Sequence, residues 1–438
     1  MITILAYIMI AVFMFCIIKK KLTPFNALVF IPLIFSIIAV AMGLSENKLG
    51  EFAKEGLMGT ALTGIMLLFA IFYFALMLDA GLFDPVTNFV IRMAKGDPVK
   101  VLLGTAVVAA CVSLNGDGTT TTMICCAAFI PVYKKLNMKM MNLAVVVVLQ
   151  NTILNLLPWS GPTARVMSVL PVGGEILQYL APGMVLSIIY MLGISYYLGI
   201  KERKRIGIVN LSEAEMNQLT AIVDPEVLNL RRPKNLLINA VLTITLIAIL
   251  IIDIYPSAFI FLVGTVLALL INYRNAKEQV ERLSANAGDA CQTVILVFAA
   301  GIFMGLFNGT GMAEAVATSF SSMIPESMGG FWGIIVAIIS IPGTFFLSND
   351  AFYYGVLPVL AETGYTYGFT PMHMAIASLM GQAFHLLSPL VAFIYLLLRL
   401  TGQDMGEWQI QSAKIASGIF LIFIVTMIIT GAMPFLIV

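Results

Sequence analysis

The chain is 438 residues long, 60% hydrophobic and 11% charged, with a mean hydropathy of +0.99 and a formal net charge of +1. So little charge on so apolar a chain excludes a soluble globular domain, and a balance near neutrality argues against a nucleic-acid partner. The sequence reads as an all-α polytopic membrane protein.

Apolar spans are expected at roughly 1–18, 25–43, 59–80, 141–168, 176–200, 235–254, 256–272, 287–308, 371–399 and 415–437. The first lacks a basic start and a small-residue cleavage site and runs into Lys19-Lys20-Lys21, so it reads as a span and not as a removed signal. With those lysines in the cytoplasm, threading places all of the 24 Lys and Arg there except Lys48, Lys54 and Arg165, in keeping with the positive-inside rule. The expectation is a protein of the cytoplasmic membrane with both termini outside. Residues 201–234, basic and carrying Pro225 and Pro233, read as a cytoplasmic linker between a first unit, 1–200, and a second, 235–438. Each unit has five spans, and an odd number starts the second from the opposite side, so the two are expected to be inverted repeats. FAIFYFALMLDAGLF at 69–83 echoes FAAGIFMGLFNGTGM at 298–312 once one inserted residue is allowed. Cys16, Cys111, Cys125, Cys126 and Cys291 lie in apolar stretches without paired metal spacing and read as buried free thiols.

Each unit also carries a polar run between apolar arms. In the first, Val101–Val112 and Met123–Val132 flank SLNGDGTTTT at 113–122. Each arm gives roughly 15–20 Å of helix against about 30 Å of hydrocarbon. The economical reading is a re-entrant helical hairpin over about 99–134, with Asn115, Asp117, Thr119 and Thr120 at a glycine-permitted tip whose free N–H groups favour anions. The alternatives are two full helices joined by a loop, or one kinked helix. A second hairpin is expected over about 331–362, with Ser348, Asn349 and Asp350 at its tip, entering from the opposite side.

Beside each hairpin lies an interrupted span. At 141–168, Pro158, Gly161 and Pro162 fall within five residues, among Ser160, Thr163 and Arg165. At 371–399, Gly381, Gln382, His385, Ser388 and Pro389 sit mid-span. Discontinuous helices at matching places in inverted halves are the pattern of a secondary transporter with a midplane site. Arg165 is costly in apolar surroundings unless paired or set in a wet cavity, where it would meet a carboxylate in bidentate fashion; the alternative is an arginine snorkelling to the outer interface. His385 is either a satisfied packing residue or a ligand or proton carrier. Asp117 or Asp350 suits a proton carrier, and Na+ held by carbonyls and Asn side chains at the tips is the rival scheme.

One arginine against two acids is a poor trap for a bare trianion. It suits an anion that brings its own cation: a divalent metal chelated by a tricarboxylate leaves about one net negative charge, and Asp, Asn, Ser and Thr oxygens suit hard metals. Asp117 and Asp350 are accordingly expected near one another at mid-membrane, on opposite sides of a shared cavity with Arg165 at its edge.

FALMLDAGLFDP (74–85), GDGTTT (116–121), LPWSGPTARV (157–166), LSNDAFYYGVLPVLAE (347–362) and SLMGQAFHLLSPLVA (378–392) resemble the citrate-metal/proton symporter family (CitMHS) of the ion transporter superfamily. The resemblance spans nearly the whole chain. It implies proton-driven uptake of citrate complexed with Mg2+, Ca2+ or a related divalent ion, which would touch Asp117 and Asp350 through the substrate. It also implies a homodimer of the elevator kind, with a scaffold and a mobile transport part, and no permanently bound cofactor. Carried over by motif, the substrate contacts are Asn115, Asp117, Thr119, Thr120, Ser160, Gly161, Thr163, Arg165, Ser348, Asn349, Gln382 and His385, with Asp350 beside them in coupling. Two positions depart from the family pattern: Ser160, where glycine is commoner, and Phe393-Ile394, in place of a small polar pair.

The expected function is therefore symport of a metal-complexed tricarboxylate with protons. The alternative is a Na+- or H+-coupled transporter of another di- or tricarboxylate or organic anion without metal. An intramembrane enzyme finds little support, since the chain has two histidines, no HExxH and no GxSxG. A channel fits less well than a carrier, because paired half-spans can alternate as gates.

Overall fold

Side chains mark where several of the helices begin. Thr23, Asp97, Asp117, Asn275, Thr370 and Asp404 each accept a hydrogen bond from a backbone N–H in the turn that follows, satisfying donors that a helix start leaves free. The structure, a computed structural model, describes residues 1–209, 215, 225–252, 254–322 and 325–437. No strand occurs among them.

The first run of helices is α1 (Ile2–Ile18), α2 (Pro24–Ala41), α3 (Leu49–Asp79), α4 (Asp84–Ala94), α5 (Pro98–Ser113), α6 (Gly118–Lys135), α7 (Met140–Leu154), α8 (Gly161–Val169) and α9 (Ile176–Ile206). The second is α10 (Leu236–Ile252), α11 (Ser257–Asn272), α12 (Ala276–Gly309), α13 (Met312–Ser321), α14 (Trp332–Phe346), α15 (Leu357–Thr366, preceded by a π-helical turn over Ala351–Val356), α16 (Pro371–Leu379), α17 (Gln382–His385), α18 (Ala392–Thr401) and α19 (Met405–Ile429). The same succession occurs twice: two apolar helices, one long helix, a short amphipathic helix, a helix pair joined by a tight turn, an interrupted helix and a last long helix. Of the stretch 201–234, residues 210–214 and 216–224 lie outside the described residues.

Six helices among the described residues are long and apolar enough to cross a membrane, and six more apolar helices have 10–17 residues. The chain is a multi-pass membrane protein. Two long helices, α3 and α12, of 31 and 34 residues, pack along each other. Their crossing is made of backbone: a Cβ on Gly56 would fall 2.0 Å from the Gly301 carbonyl oxygen, and one on Gly305 2.1 Å from that of Phe52. Only glycine lets two helices approach so closely. On the other side, α7 is buried on every face from Met141 to Leu154, packed among α5, α6, α9, α17, α18 and α19. It is the core against which both the first helix pair and the second interrupted helix rest.

Ion pairs tie together the basic ends of the helices. Arg203 pairs with Asp97, Arg231 with Asp84 (2.6 Å), Arg232 with Glu278, and Arg282 with Asp79 (3.6 Å). Arg231 also donates to the Leu78 and Asp79 carbonyls, covering the last turn of α3.

Candidate functional site

Between α5 and α6 the chain reverses at Asn115-Gly116-Asp117, with Gly116 in the left-handed region at φ +77°. Asn115 Oδ1 accepts from the Asp117 N–H at 2.7 Å, and the Asp117 carboxylate accepts from the Thr119 and Thr120 N–H groups at 3.3 and 2.6 Å. Asp117 is thus both the charge of this tip and the cap that starts α6. Asn115 Nδ2 is buried without a partner among the described residues.

The break between α7 and α8 grips the tip. Trp159 Nε1 donates to the Leu114 carbonyl at 2.8 Å, and the indole stacks on Phe74 at 5.6 Å between ring centroids and meets Phe261 edge-on at 5.0 Å. Gly116 is close enough to the break that a Cβ there would lie 2.8 Å from Ser160 Oγ. From the second half, Phe393, at the start of α18, seats its ring against Gly118, where a Cβ would fall 2.3 Å from the ring. The bulky departure at that position is therefore a wall behind the tip.

Breaking a helix frees carbonyls, and hydroxyls take them up. Ser160 Oγ donates to the Leu154 carbonyl (3.3 Å) and Thr163 Oγ1 to that of Leu156 (2.9 Å), both side chains fully buried. Both are expected substrate contacts; in this conformation their hydroxyls are bonded to the carbonyls of the break. After the break α8 presents Gly161 and, one turn on, Arg165. Arg165 Nε donates to Asp350 Oδ1 at 2.7 Å and Nη1 to the Gly161 carbonyl at 2.8 Å, so the arginine is paired and partly buried.

These residues front a cavity of about 800 Å³. Asn115, Asp117, Thr119, Thr120, Gly161 and Arg165 line it together, with Trp159 and Tyr354. The opposite wall comes from α3 and α12 and adds Asp79, Asn286, Asp289, Gln292 and Thr293. The sequence reading did not name these five. The signal was present: Asn286, Asp289 and Thr293 recur at three- and four-residue spacing, one polar face at the entry to an apolar span, and Asp79 lies inside the stretch that repeats at 298–312. Among the described residues no three His, Cys, Asp or Glu side chains gather to hold a metal ion. The donor set of the cavity is oxygen from acids, amides and hydroxyls, the kind that suits a hard cation.

The second tip faces elsewhere. Ser348 Oγ accepts from the Ala351 N–H (3.1 Å), and Asn349 Oδ1 accepts from Gln382 Nε2 (3.0 Å), which also donates to Tyr353 Oη (2.8 Å). His385 Nδ1 donates to the Thr344 carbonyl at 2.6 Å, and Ser388 Oγ to that of Phe345 at 2.5 Å. The interrupted helix α16–α18 is zipped to α14 through these bonds. None of Ser348, Asn349, Asp350, Gln382 and His385 lines the cavity. Asp117 and Asp350, expected to face each other across it, are divided between it and the Arg165 pair.

A family model described as Citrate transporter matches residues 12–381. The chain belongs to the citrate transporter family. A citrate transporter of Bacillus subtilis (strain 168) is 43% identical over 436 residues, 99% of this chain and 100% of that protein. An Mg(2+)/citrate complex secondary transporter of the same organism is 38% identical over 434 residues, 99% of each. Among solved structures, MtrF of Neisseria gonorrhoeae superimposes with a TM-score of 0.60 at 14% identity, covering 90% of this chain and 84% of that one. The YdaH transporter of Alcanivorax borkumensis gives 0.57 at 12%, covering 86% and 87%. At such identities these two speak for the fold alone.

Proposed function

We propose that this member of the citrate transporter family takes up citrate as a complex with a divalent metal ion, Mg2+ or Ca2+ foremost, coupled to protons. The observation that carries this reading is the charge at the cavity wall: with their ion-pair partners counted, Arg165 and Arg282 stand against Asp79, Asp117, Asp289 and Asp350, a surplus of acid. A bare tricarboxylate would meet a net repulsive field, whereas a chelated one offers its cation to the acids and a free carboxylate to the arginine. The volume is in the range of small-molecule sites. The name of the relative that carries an Mg(2+)/citrate complex points the same way.

The repeated order of elements supports two inverted repeats, with α5–α6 and α14–α15 as re-entrant hairpins entering from opposite sides. With the Lys- and Arg-rich ends in the cytoplasm and both termini outside, the cavity, walled by the C-terminal half of α3 and the N-terminal half of α12, opens inward. A homodimer working as an elevator fits this architecture, with the α3–α12 crossing in the scaffold. Asp117 and Asp350 are the groups proposed for coupling.

The test is labelled citrate uptake into proteoliposomes under an imposed inward proton gradient, with Mg2+, Ca2+ or excess chelator outside. Uptake that needs the divalent ion and collapses with a protonophore is expected. Uptake indifferent to chelator would move the cargo to a free carboxylate, and dependence on Na+ in place of the proton gradient would change the coupling ion.

A further inference from the structure

We propose that Arg165 is passed between Asp350 and the substrate: a carboxylate entering the cavity draws the guanidinium off Asp350 and so frees the second tip from α8. This rests on the carboxylate-transport reading above. Arg165 lines the cavity, whereas Asp350, bonded to its Nε at 2.7 Å, does not. A carboxylate from the cavity side would therefore meet the arginine and not its counter-ion.

The guanidinium is only partly committed. Nε is held by Asp350 and Nη1 by the Gly161 carbonyl, while Nη2 has no protein acceptor among the described residues. A two-pronged grip on a carboxylate needs Nη2 together with Nε or Nη1. Full engagement of substrate thus requires one of the present partners to yield, and Asp350 is the charged competitor.

Losing the pair would alter the tip. Among the described residues Arg165 is the only cationic side chain within ion-pair distance of Asp350. The titratable neighbours of the pair are Tyr353, Tyr354 and His385, and none of them replaces the guanidinium. Asp350 also directly precedes the π-helical turn Ala351–Val356, a local irregularity of the kind found at moving or functional sites.

The experiment is calorimetric titration of the purified full chain with citrate in the presence of Mg2+, at one fixed pH. Wild type is compared with Asp350→Asn, Asp350→Ser and Asp350→Glu. If Asp350 competes for Arg165, both neutral variants bind about tenfold more tightly, and Asp350→Glu, which restores the competitor, stays within about threefold of wild type. A purely structural pair predicts the reverse, because removing one partner disorders the arginine; unchanged or weaker binding by the neutral variants would overturn the proposal. Where Asp350→Asn folds poorly, Asp350→Ser reads the same quantity. A well-folded wild type that binds no citrate with Mg2+, with Ca2+ or with chelator would overturn the transport reading itself, and the exchange with it. Binding by wild type without tightening in the variants overturns the exchange alone.

Discussion

The two helix–turn–helix units end in tips of similar composition and are used differently. Asn115 to Thr120 stands at the wall of the cavity, its Asp117 carboxylate bonded, among the described residues, only to the first turn of its own helix. Ser348 to Asp350 is folded inward, with Asn349 on Gln382 and Asp350 on Arg165. Equivalent places in a repeated architecture thus present one open acid and one neutralised acid. An open acid is available to a cation, whereas a paired one acts through whatever can compete for its partner. The packing behind the tips explains the difference. Trp159 and Phe393 brace the first from two sides and leave its polar edge free, while the second is sewn to α17 and to the following break by side-chain hydrogen bonds.

Substitutions at the two tips and their braces can break that comparison. The largest effect is expected for Arg165→Gln, which removes the cation common to cavity and second tip: citrate affinity should fall at least about a hundredfold, with Arg165→Lys recovering only part because it lacks the planar fork. Equilibrium binding on purified protein measures this, and retained affinity in Arg165→Gln would place the substrate elsewhere. Next is Asp117→Asn. Asparagine caps a helix about as well as aspartate, so the melting temperature should move by no more than about 2 °C while metal-dependent uptake drops more than about tenfold. A variant that melts early and transports normally would make Asp117 a cap and nothing more.

Smaller effects are expected in the braces. Trp159→Phe keeps the ring stack but loses the bond to the Leu114 carbonyl; it should cost about 1 kcal/mol of stability and raise the KM for citrate a few-fold with little change in kcat. Equal loss in both parameters would argue that the tip moves during transport and not only during binding. The smallest change in coupling should come from His385→Gln. The side chain is a buried hydrogen-bond donor to Thr344 and is not part of the cavity lining, so the pH midpoint of uptake should stay in place even where expression falls. A displaced midpoint would return His385 to the proton path.

Much of this site was legible because turn chemistry is local. Asn115-Gly116-Asp117-Gly118 carries its own instructions for a reversal and a cap, and two prolines with a glycine mark the break before Arg165 wherever the segment sits. Roles depended on distance along the chain. Ser160 and Thr163 look like ligands beside a broken helix, and only the path of the carbonyls at 154 and 156 shows where their hydroxyls go. Asp79 and the α12 face were not named, because nothing local says that α3 and α12 pack together through Gly56 and Gly301 and form the opposite wall.

By itself the sequence determined an all-helical membrane protein of the citrate transporter family with two polar tips and two interrupted spans, since hydropathy, glycine, proline and capping residues act over a few positions. The tertiary structure alone decided that Arg165 meets Asp350 across 185 residues of chain, that one tip is open and the other closed, and that α3 and α12 complete the cavity. Ion pairing and helix crossing depend on spatial proximity between segments distant in sequence, which no local pattern encodes.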